Sequence, residues 1–244
     1  CENWRNLISV GAKPIAITNC LNFGNPENEN IMGEFAESIQ GIKEACEFLD
    51  FPVVSGNVSF YNGTNKKNIY PTPVIGGVGL IKKINNSLNH SFKKEGSIVL
   101  LVGKTFGHLY QSAFYEEIYS IKEGPPPDVN LINEKNNGES ILKLIDNNLI
   151  NSAHDVSSGG IIVSLTEMAM SSLIGIKLEK PKKLSNIFEY FFGEDQSRYL
   201  MEIKEKNFDK VCNILKENSV YFEIIGKTQK DNLDINKDLS IKVT

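Results

Sequence analysis

Histidine is scarce in this chain, with three in 244 residues. His90 and His108 have no partner at zinc-ligand spacing, which argues against a zinc centre. The four cysteines, Cys1, Cys20, Cys46 and Cys212, form no CxxC pair and no compact framework, so reduced thiols are expected. A basic excess is also missing. Twenty-six Lys and Arg stand against 30 Asp and Glu, and the net charge of −4 speaks against a general nucleic-acid binder. No apolar run approaches the length of a membrane span, and no charged-then-apolar segment opens the chain, so a cytoplasmic, membrane-free protein is expected. Lys13 and Lys104 sit near glycines, but no GxxxxGK[ST] phosphate loop is present. No serine sits in a nucleophile elbow, and no cysteine has the local signature of a nucleophile. The sequons at Asn57, Asn62 and Asn89 are expected by chance in so asparagine-rich a chain.

What is present is an ordinary globular composition, 41% hydrophobic and 23% charged, long enough for one large or two modest domains. Trp4, Leu7 and Ile8 have helical spacing with no initiator methionine before them, which predicts a start inside a helix of a longer protein. Ile15 to Thr18 reads as a strand and Cys20 to Pro26 as a polar loop. Ile31, Phe35, Ile39, Ile42, Cys46 and Leu49 mark one face of a long amphipathic helix. Phe51 to Ser55 reads as a buried strand, Gly56 to Lys67 as a loop, and Val74 to Ile81 as a glycine-rich strand. The polar stretch Lys82 to Gly96 looks like a boundary. Beyond it, strands are predicted at Ser97 to Val102, Ile174 to Leu178, Tyr199 to Lys204 and Tyr221 to Ile225. Helices are predicted at Leu109 to Tyr119, Ser140 to Leu149, Ile161 to Ser171 and Phe208 to Glu217, with an irregular turn at the prolines of Gly124 to Asp128. The two segments read as α+β followed by α/β.

Four segments place polar groups and glycines where sites form. In Thr18 to Pro26, asparagines suit uncharged recognition of a nucleotide, although Asn, Gly and Pro are turn residues in any case. In Val53 to Asn62, Gly56 permits close backbone approach to an anion. Asn57 and Ser59 lie two apart, so an extended chain points both to one face, near Asn19. An Asn carbonyl is a suitable hard-oxygen ligand for Mg²⁺. Ser152 to Gly160 is expected to open a helix capped by Ser157 or Ser158, its N-terminus favouring an anion. Phe192 to Arg198 reads on its own as a surface ion-pair turn.

In this order the segments resemble phosphoribosylformylglycinamidine synthase of the small form. The resemblance rests on Gly11-Ala12-Lys13-Pro14, Ile17 to Pro26, Val53 to Ser59 with Tyr61-Asn62, Pro71-Thr72-Pro73, Gly76 to Gly79, Ser152 to Ser157 with Gly159-Gly160, and Gly193-Glu194 with Arg198. It covers nearly the whole chain. The His154-Asp155-x-Ser157-x-Gly159-Gly160 block is shared with the wider aminoimidazole ribonucleotide (AIR) synthetase superfamily. The resemblance implies an α+β / α/β, PurM-like (AIR synthetase-like) two-domain unit, truncated at its N-terminal part. The domains would be 1–90 and 91–244. It implies the second of two tandem copies, with the catalytic histidine in the first, so that this piece alone is inactive and contributes no catalytic residue. Carried over, it puts ATP contacts at Asn19 and Gly56, a Mg²⁺ ligand at Asn57 and a substrate contact at Ser59. Many relatives carry Asp where this chain has Asn19. The implied reaction is ATP-dependent conversion of formylglycinamide ribonucleotide (FGAR) and ammonia to the amidine (FGAM). The implied partners are a glutaminase subunit (PurQ), a small dimeric subunit (PurS) and the first half of the same protein. The Asp155 and Glu194 segments resemble a second, structural nucleotide pocket. A non-catalytic nucleotide-binding scaffold and another member of the AIR synthetase superfamily are the alternatives. In the family the first-domain sheets close a barrel by pairing, so self-association or an open apolar sheet face is expected here.

Overall fold

The computed structural model describes residues 1–179, 186–235 and 239–243. The chain divides into two compact units. The first comprises Lys13–Leu80 with Cys1 and Asn3. The second comprises Glu2, Trp4–Ala12 and Ile81–Thr244.

The first unit is built on β1 (Lys13–Asn22), which has a neighbour on each side. It pairs in parallel with β2 (Val53–Ser59) and antiparallel with β5 (Thr72–Leu80), giving the order β2-β1-β5. Parallel neighbours require a crossover, and α2 (Glu29–Leu49) supplies it. Asn28 caps this helix, its side chain accepting from the Asn30 N–H. Asp50 ends it in the left-handed region, φ 51°, with its own N–H on the Cys46 carbonyl. Leu21, Phe23 and Ile31 form the buried core beneath the helix, with Phe35, Ile42 and Phe60 packed on them. The Phe23 and Phe35 rings meet edge-on at 5.1 Å. A two-strand ribbon, β3 (Gly63–Thr64) with β4 (Lys67–Asn68), follows β2.

Two expectations for this unit need correction. Cys20 to Asn22 do not start a loop but continue β1, because hydrogen bonding on both sides overrides their turn preference. The strand expected at Phe51 to Ser55 begins two residues after the buried Phe51 and is neither buried nor finished at Ser55. It runs from Val53 to Ser59 as an exposed edge strand, so Gly56 to Ser59 is strand and not turn.

The second unit holds α1 (Glu2–Ser9) and, among the described residues, a seven-stranded mixed sheet. Its strands are β6 (Ile98–Val102), β7 (Ser152–Asp155), β8 (Gly175–Leu178), β9 (Tyr199–Ile203), β10 (Phe222–Gln229), β11 (Asn232–Ile235) and β12 (Leu239–Lys242). They lie in the order β12-β11-β8-β10-β6-β9-β7. Every residue of β6 and β9 is buried. The helices are α3 (Ala113–Tyr119), α4 (Leu131–Asp146), α5 (Gly160–Met170), α6 (Ile187–Phe192) and α7 (Phe208–Glu217). Helix α4 starts nine residues before the predicted Ser140, since the Asn130 side chain accepts from the Asn133 N–H and caps a polar first half. Helix α3 starts later than predicted, after Ser112, whose hydroxyl accepts from the Tyr115 N–H. Ser152 to Asp155 forms a strand where a helix opening was expected, and β11, β12 and α6 were not anticipated.

An ion pair with no access to water holds α1 in this unit. Arg5 and Glu134 are 2.7 Å apart with side chains 2% and 0% exposed. Arg5 also donates to Gln196 Oε1 at 2.7 Å, and the Ser197 hydroxyl donates to Glu134 at 2.8 Å. Trp4 lies so close to Gly138 that a Cβ there would stand 2.1 Å from its ring. Removing one partner of such a pair strands a buried charge. Arg5→Ala is expected to lower the unfolding free energy by about 3–5 kcal/mol, and Arg5→Leu combined with Glu134→Leu to recover most of that loss. Urea denaturation of the three proteins checks this, and a double variant no better than the single one refutes it.

Candidate functional site

Alternation along paired strands sends neighbouring side chains to opposite faces. In β1 and β2 the register partners are Asn19 with Gly56, Cys20 with Asn57, Leu21 with Val58 and Asn22 with Ser59. Leu21 belongs to the core under α2, so Asn19 and Gly56 share the helix-covered face. A cavity of about 440 Å³ opens on that face, lined by Asn19, Ile42, Cys46 and Val53 among others. Burial pushes the Cys46 thiol pKa up, which disfavours the reactive thiolate. The opposite face carries Thr18, Cys20, Asn22, Asn57 and Ser59, together with Val74 and Val78 of β5. Helix α2 does not cover it. Val74 and Val78 are 54% and 53% exposed, so the expected open apolar sheet face is present.

The four residues picked out on this sheet therefore do not converge on one point. Asn19 and Gly56 lie on one face, and Asn57 and Ser59 lie on the other. A side chain at position 56 would displace Asn19. A Cβ at position 56 would sit 2.0 Å from Asn19 Oδ1, so the space expected for a phosphate is filled by an asparagine side chain. Because β2 is an edge strand, its backbone and both of its faces are accessible from the sheet margin. Among the described residues the side-chain amides of Asn19 and Asn57 have no hydrogen-bond partner, so both are uncommitted. Asn57 can offer one hard oxygen to a cation. No group of three or more His, Cys, Asp or Glu that could hold a metal ion occurs among the described residues, so any further ligands would come from water, substrate or other protein.

Ser59 is held by a residue to which the sequence assigned no role. The Asn62 side chain lies within hydrogen-bond distance of the Ser59 hydroxyl, the Ser59 carbonyl and the Phe23 carbonyl. The signal was its place three residues past Ser59 in the same quoted stretch, but only the folded loop reveals the contacts.

In the second unit the Gly193 to Arg198 segment is not a surface turn. Asp195, Ser197 and Arg198 are buried. The Asp195 carboxylate accepts from the backbone N–H groups of Phe106, Gly107 and His108 at 2.9, 2.9 and 3.3 Å. Glu194 accepts from Ala113 N at 2.8 Å and Gly159 N at 2.7 Å. Donors at the starts of α3 and α5 that could meet a foreign anion are thus met by the chain's own carboxylates. Arg198 is fully buried and bonded to the Gly193 and Asp195 carbonyls and to Thr105 Oγ1. Burial, opposed by Asp195, brings its pKa down to about 10. Beside this segment opens a polar cavity of about 700 Å³, lined in part by Lys104, Asn133, Asn136 and Gln196. Neither Ser157 nor Ser158 caps α5. Gly159 stands at the cap, and the Ser157 hydroxyl instead donates to Asp155 at 2.7 Å.

His154 lies between Asp155 and Glu167, at 3.3 and 3.0 Å, and its ring faces His90 at 5.1 Å. Burial works to lower its pKa, but the hydrogen bonds and charges of Asp155 and Glu167 outweigh burial and raise it. His90 moves the other way, lowered by burial and then by facing His154. Burial works to raise Asp155, but His154 and Ser157 outweigh it and hold the carboxyl below its ordinary 3.8. Folded His154 binds its proton more tightly than unfolded His154. Its stabilisation is therefore full below the unfolded value of 6.5 and is lost as pH rises through the higher folded value. Asp155 stabilises above 3.8 and loses that contribution as pH falls. His154→Gln is expected to flatten the decline in stability between about pH 6 and pH 8.5, read from urea midpoints across that range. An unchanged slope refutes this.

Two family models match the chain, and the first takes in Glu2 and Trp4–Ala12, which pack with the second unit. Residues 1–81 match the AIR synthase related protein N-terminal domain, and residues 94–236 match the AIR synthase related protein C-terminal domain. The chain is 56% identical over 243 residues to phosphoribosylformylglycinamidine synthase subunit PurL of Pelagibacter ubique, covering 100% of this chain and 33% of that protein. It spans about a third of the length of the curated relatives it matches. Among solved structures, T. maritima PurL complexed with ATP superposes with a TM-score of 0.74 at 15% identity, covering 98% of this chain and 39% of that one. T. maritima PurL complexed with FGAR gives 0.74 at 16% identity, covering 98% and 40%. The fold is that of these proteins, and the chain belongs to the AIR synthase related protein family.

Proposed function

We propose that this chain is part of a phosphoribosylformylglycinamidine synthase, an ATP-dependent, amidine-forming C–N ligase of purine biosynthesis. The observation that carries the reading is the 56% identity to a subunit of that name over essentially the whole chain. The reaction transfers the γ-phosphoryl group of ATP to the amide oxygen of FGAR, releasing ADP. Ammonia then adds to the activated carbon, and phosphate leaves to give FGAM. The ammonia would come from a glutaminase subunit (PurQ), with a small dimeric subunit (PurS) and the rest of the same protein completing a cytoplasmic complex.

Phosphoryl transfer of this kind depends on positioning and charge neutralisation rather than on a protein nucleophile. The residues of the first unit suit that task. The uncommitted Asn19 amide and the Gly56 backbone at the sheet margin would contact ATP. Asn57 would supply an oxygen ligand to Mg²⁺, which neutralises phosphate charge when bound. Ser59, on the same open face, would contact FGAR. Asn19 and Asn57 lie on opposite faces of the sheet, so a nucleotide held by the one and a cation held by the other would meet around the edge strand β2. For the second unit a non-catalytic role is favoured by one observation, that Glu194 and Asp195 already occupy its backbone anion donors.

The test uses the full-length protein with its partner subunits. Asn57→Ala is expected to lower kcat/KM for Mg-ATP by about 2–3 kcal/mol, roughly 30- to 150-fold, as removal of comparable electrostatic groups does. The melting temperature should stay unchanged, because an exposed strand side chain contributes little packing. Wild-type kinetics for this variant would remove Asn57 from the site.

A further inference from the structure

We infer that Asn62 is a positioning residue that fixes the Ser59 hydroxyl as a hydrogen-bond acceptor, so that the group it meets on the substrate is an N–H or O–H donor. This rests on the reading of Ser59 as a substrate contact and adds to it the polarity of that contact and the residue that sets it.

The orientation of the Asn62 amide follows from its neighbours. Its nitrogen lies 3.0 Å from the Phe23 carbonyl and 2.9 Å from the Ser59 carbonyl. Both neighbours are acceptors only, so the two N–H bonds point at them and the amide oxygen takes the remaining position. That oxygen lies 3.2 Å from Ser59 Oγ, close enough to accept the hydroxyl proton. The nitrogen is also 3.1 Å from Oγ, but both of its N–H bonds are directed at the two carbonyls, so the serine–asparagine bond is the one made to Oδ1. A serine hydroxyl has one proton and two lone pairs. With the proton directed to Asn62 Oδ1, an oxygen lone pair remains for a ligand.

The backbone around this pair keeps the arrangement rigid. Phe23 N donates to the Ser59 carbonyl at 3.0 Å, and Asn62 N donates to the Phe23 carbonyl at 3.2 Å. Tyr61 N donates to the Gly24 carbonyl at 2.9 Å, with Tyr61 itself in the left-handed region at φ 60°. The ends of β1 and β2 are thereby tied through the loop that carries Asn62. Ser59 is half-buried on the open sheet face beside Asn22, whose amide is turned towards Cys20 and the Thr72 carbonyl. The serine lone pair is therefore one acceptor of this corner, beside the side-chain oxygens of Asn22 and Asn57, and the one whose hydroxyl proton is already directed elsewhere.

The chemistry agrees with the proposed substrate. An amide ribonucleotide carries N–H groups on its amides and hydroxyls on its ribose, and a serine held as acceptor would recognise one of them. A serine free to rotate would also donate, and would not distinguish donors from acceptors on the ligand.

The experiment uses the full-length protein and measures KM for FGAR and for ATP, together with thermal melting, for Ser59→Ala, Asn62→Ala, the double variant and Asn62→Asp. Ser59→Ala and Asn62→Ala are each expected to raise KM for FGAR about tenfold, the scale of one hydrogen bond, with KM for ATP within about twofold of wild type. The double variant should be no worse than Ser59→Ala, because Asn62 acts through Ser59. Asn62→Asp keeps the acceptor for the Ser59 proton but loses both donors to the carbonyls. It should melt lower while keeping a near-normal KM for FGAR, and it carries the test if Asn62→Ala does not fold. Multiplying effects in the double variant, or an Asn62→Asp KM raised as far as that of Asn62→Ala, overturns the inference and leaves Ser59 as a contact. A Ser59→Ala protein with wild-type KM for FGAR removes the Ser59 contact itself, and the inference falls with it.

Discussion

The first unit depends on the two-sided pairing of β1. A strand hydrogen-bonded on both edges has its polar backbone satisfied whatever its side chains are, so it can carry Asn19, Cys20 and Asn22 at positions where a less constrained chain would turn. The pairing also fixes the register with β2, and the register decides which residues share a face. Leu21 and Phe23 are drawn under α2, which leaves the alternate positions uncovered. The polar corner formed by Asn22, Asn57 and Ser59 exists because the aromatic and aliphatic residues between them take the helix side.

The same constraint explains Gly56. Glycines near candidate nucleotide sites invite a phosphate-binding interpretation, and that chemistry is sound where backbone N–H groups face open space. Here the space above the glycine is occupied by the Asn19 side chain. Glycine at 56 is needed so that Asn19 can lie across the neighbouring strand, and what Asn19 offers a ligand is its free amide. The backbone of Gly56 remains accessible from the edge, so the two roles do not exclude one another.

The second unit shows how strongly burial changes the meaning of charged residues. Glu194 and Asp195 in an exposed loop would be solvated and of little consequence. Folded, they accept five backbone N–H bonds between them and join the loop at Phe106 to His108 and the starts of α3 and α5 to one segment. Arg198 beneath them supplies the compensating charge and carbonyl contacts. Arg5 and Glu134 do the corresponding work for α1 and α4. Each pair is weak evidence of stability in itself, but removing one member would leave a buried charge without its counter-charge.

Periodicity was enough to reveal the long helix α2, the apolar strands β5, β6 and β9, and helices α5 and α7, because their burial patterns follow the geometry of a single element. Residue identities in order were enough to indicate the family, since they record chemistry that a lineage retains. Where elements begin and end was less legible. The polar start of α4 is set by a cap at Asn130, and the polar ends of β1 and β2 are set by partners distant in the chain. That Asn19 shares a face with Gly56 and not with Asn57 and Ser59 could not be read locally, because facing across strands is a property of register and register is a tertiary contact. The tie of Asn62 to the Phe23 carbonyl and the occupation of backbone donors by Glu194 and Asp195 arise for the same reason. Hydrogen bonds between segments far apart in sequence come into being only when the chain has closed on itself.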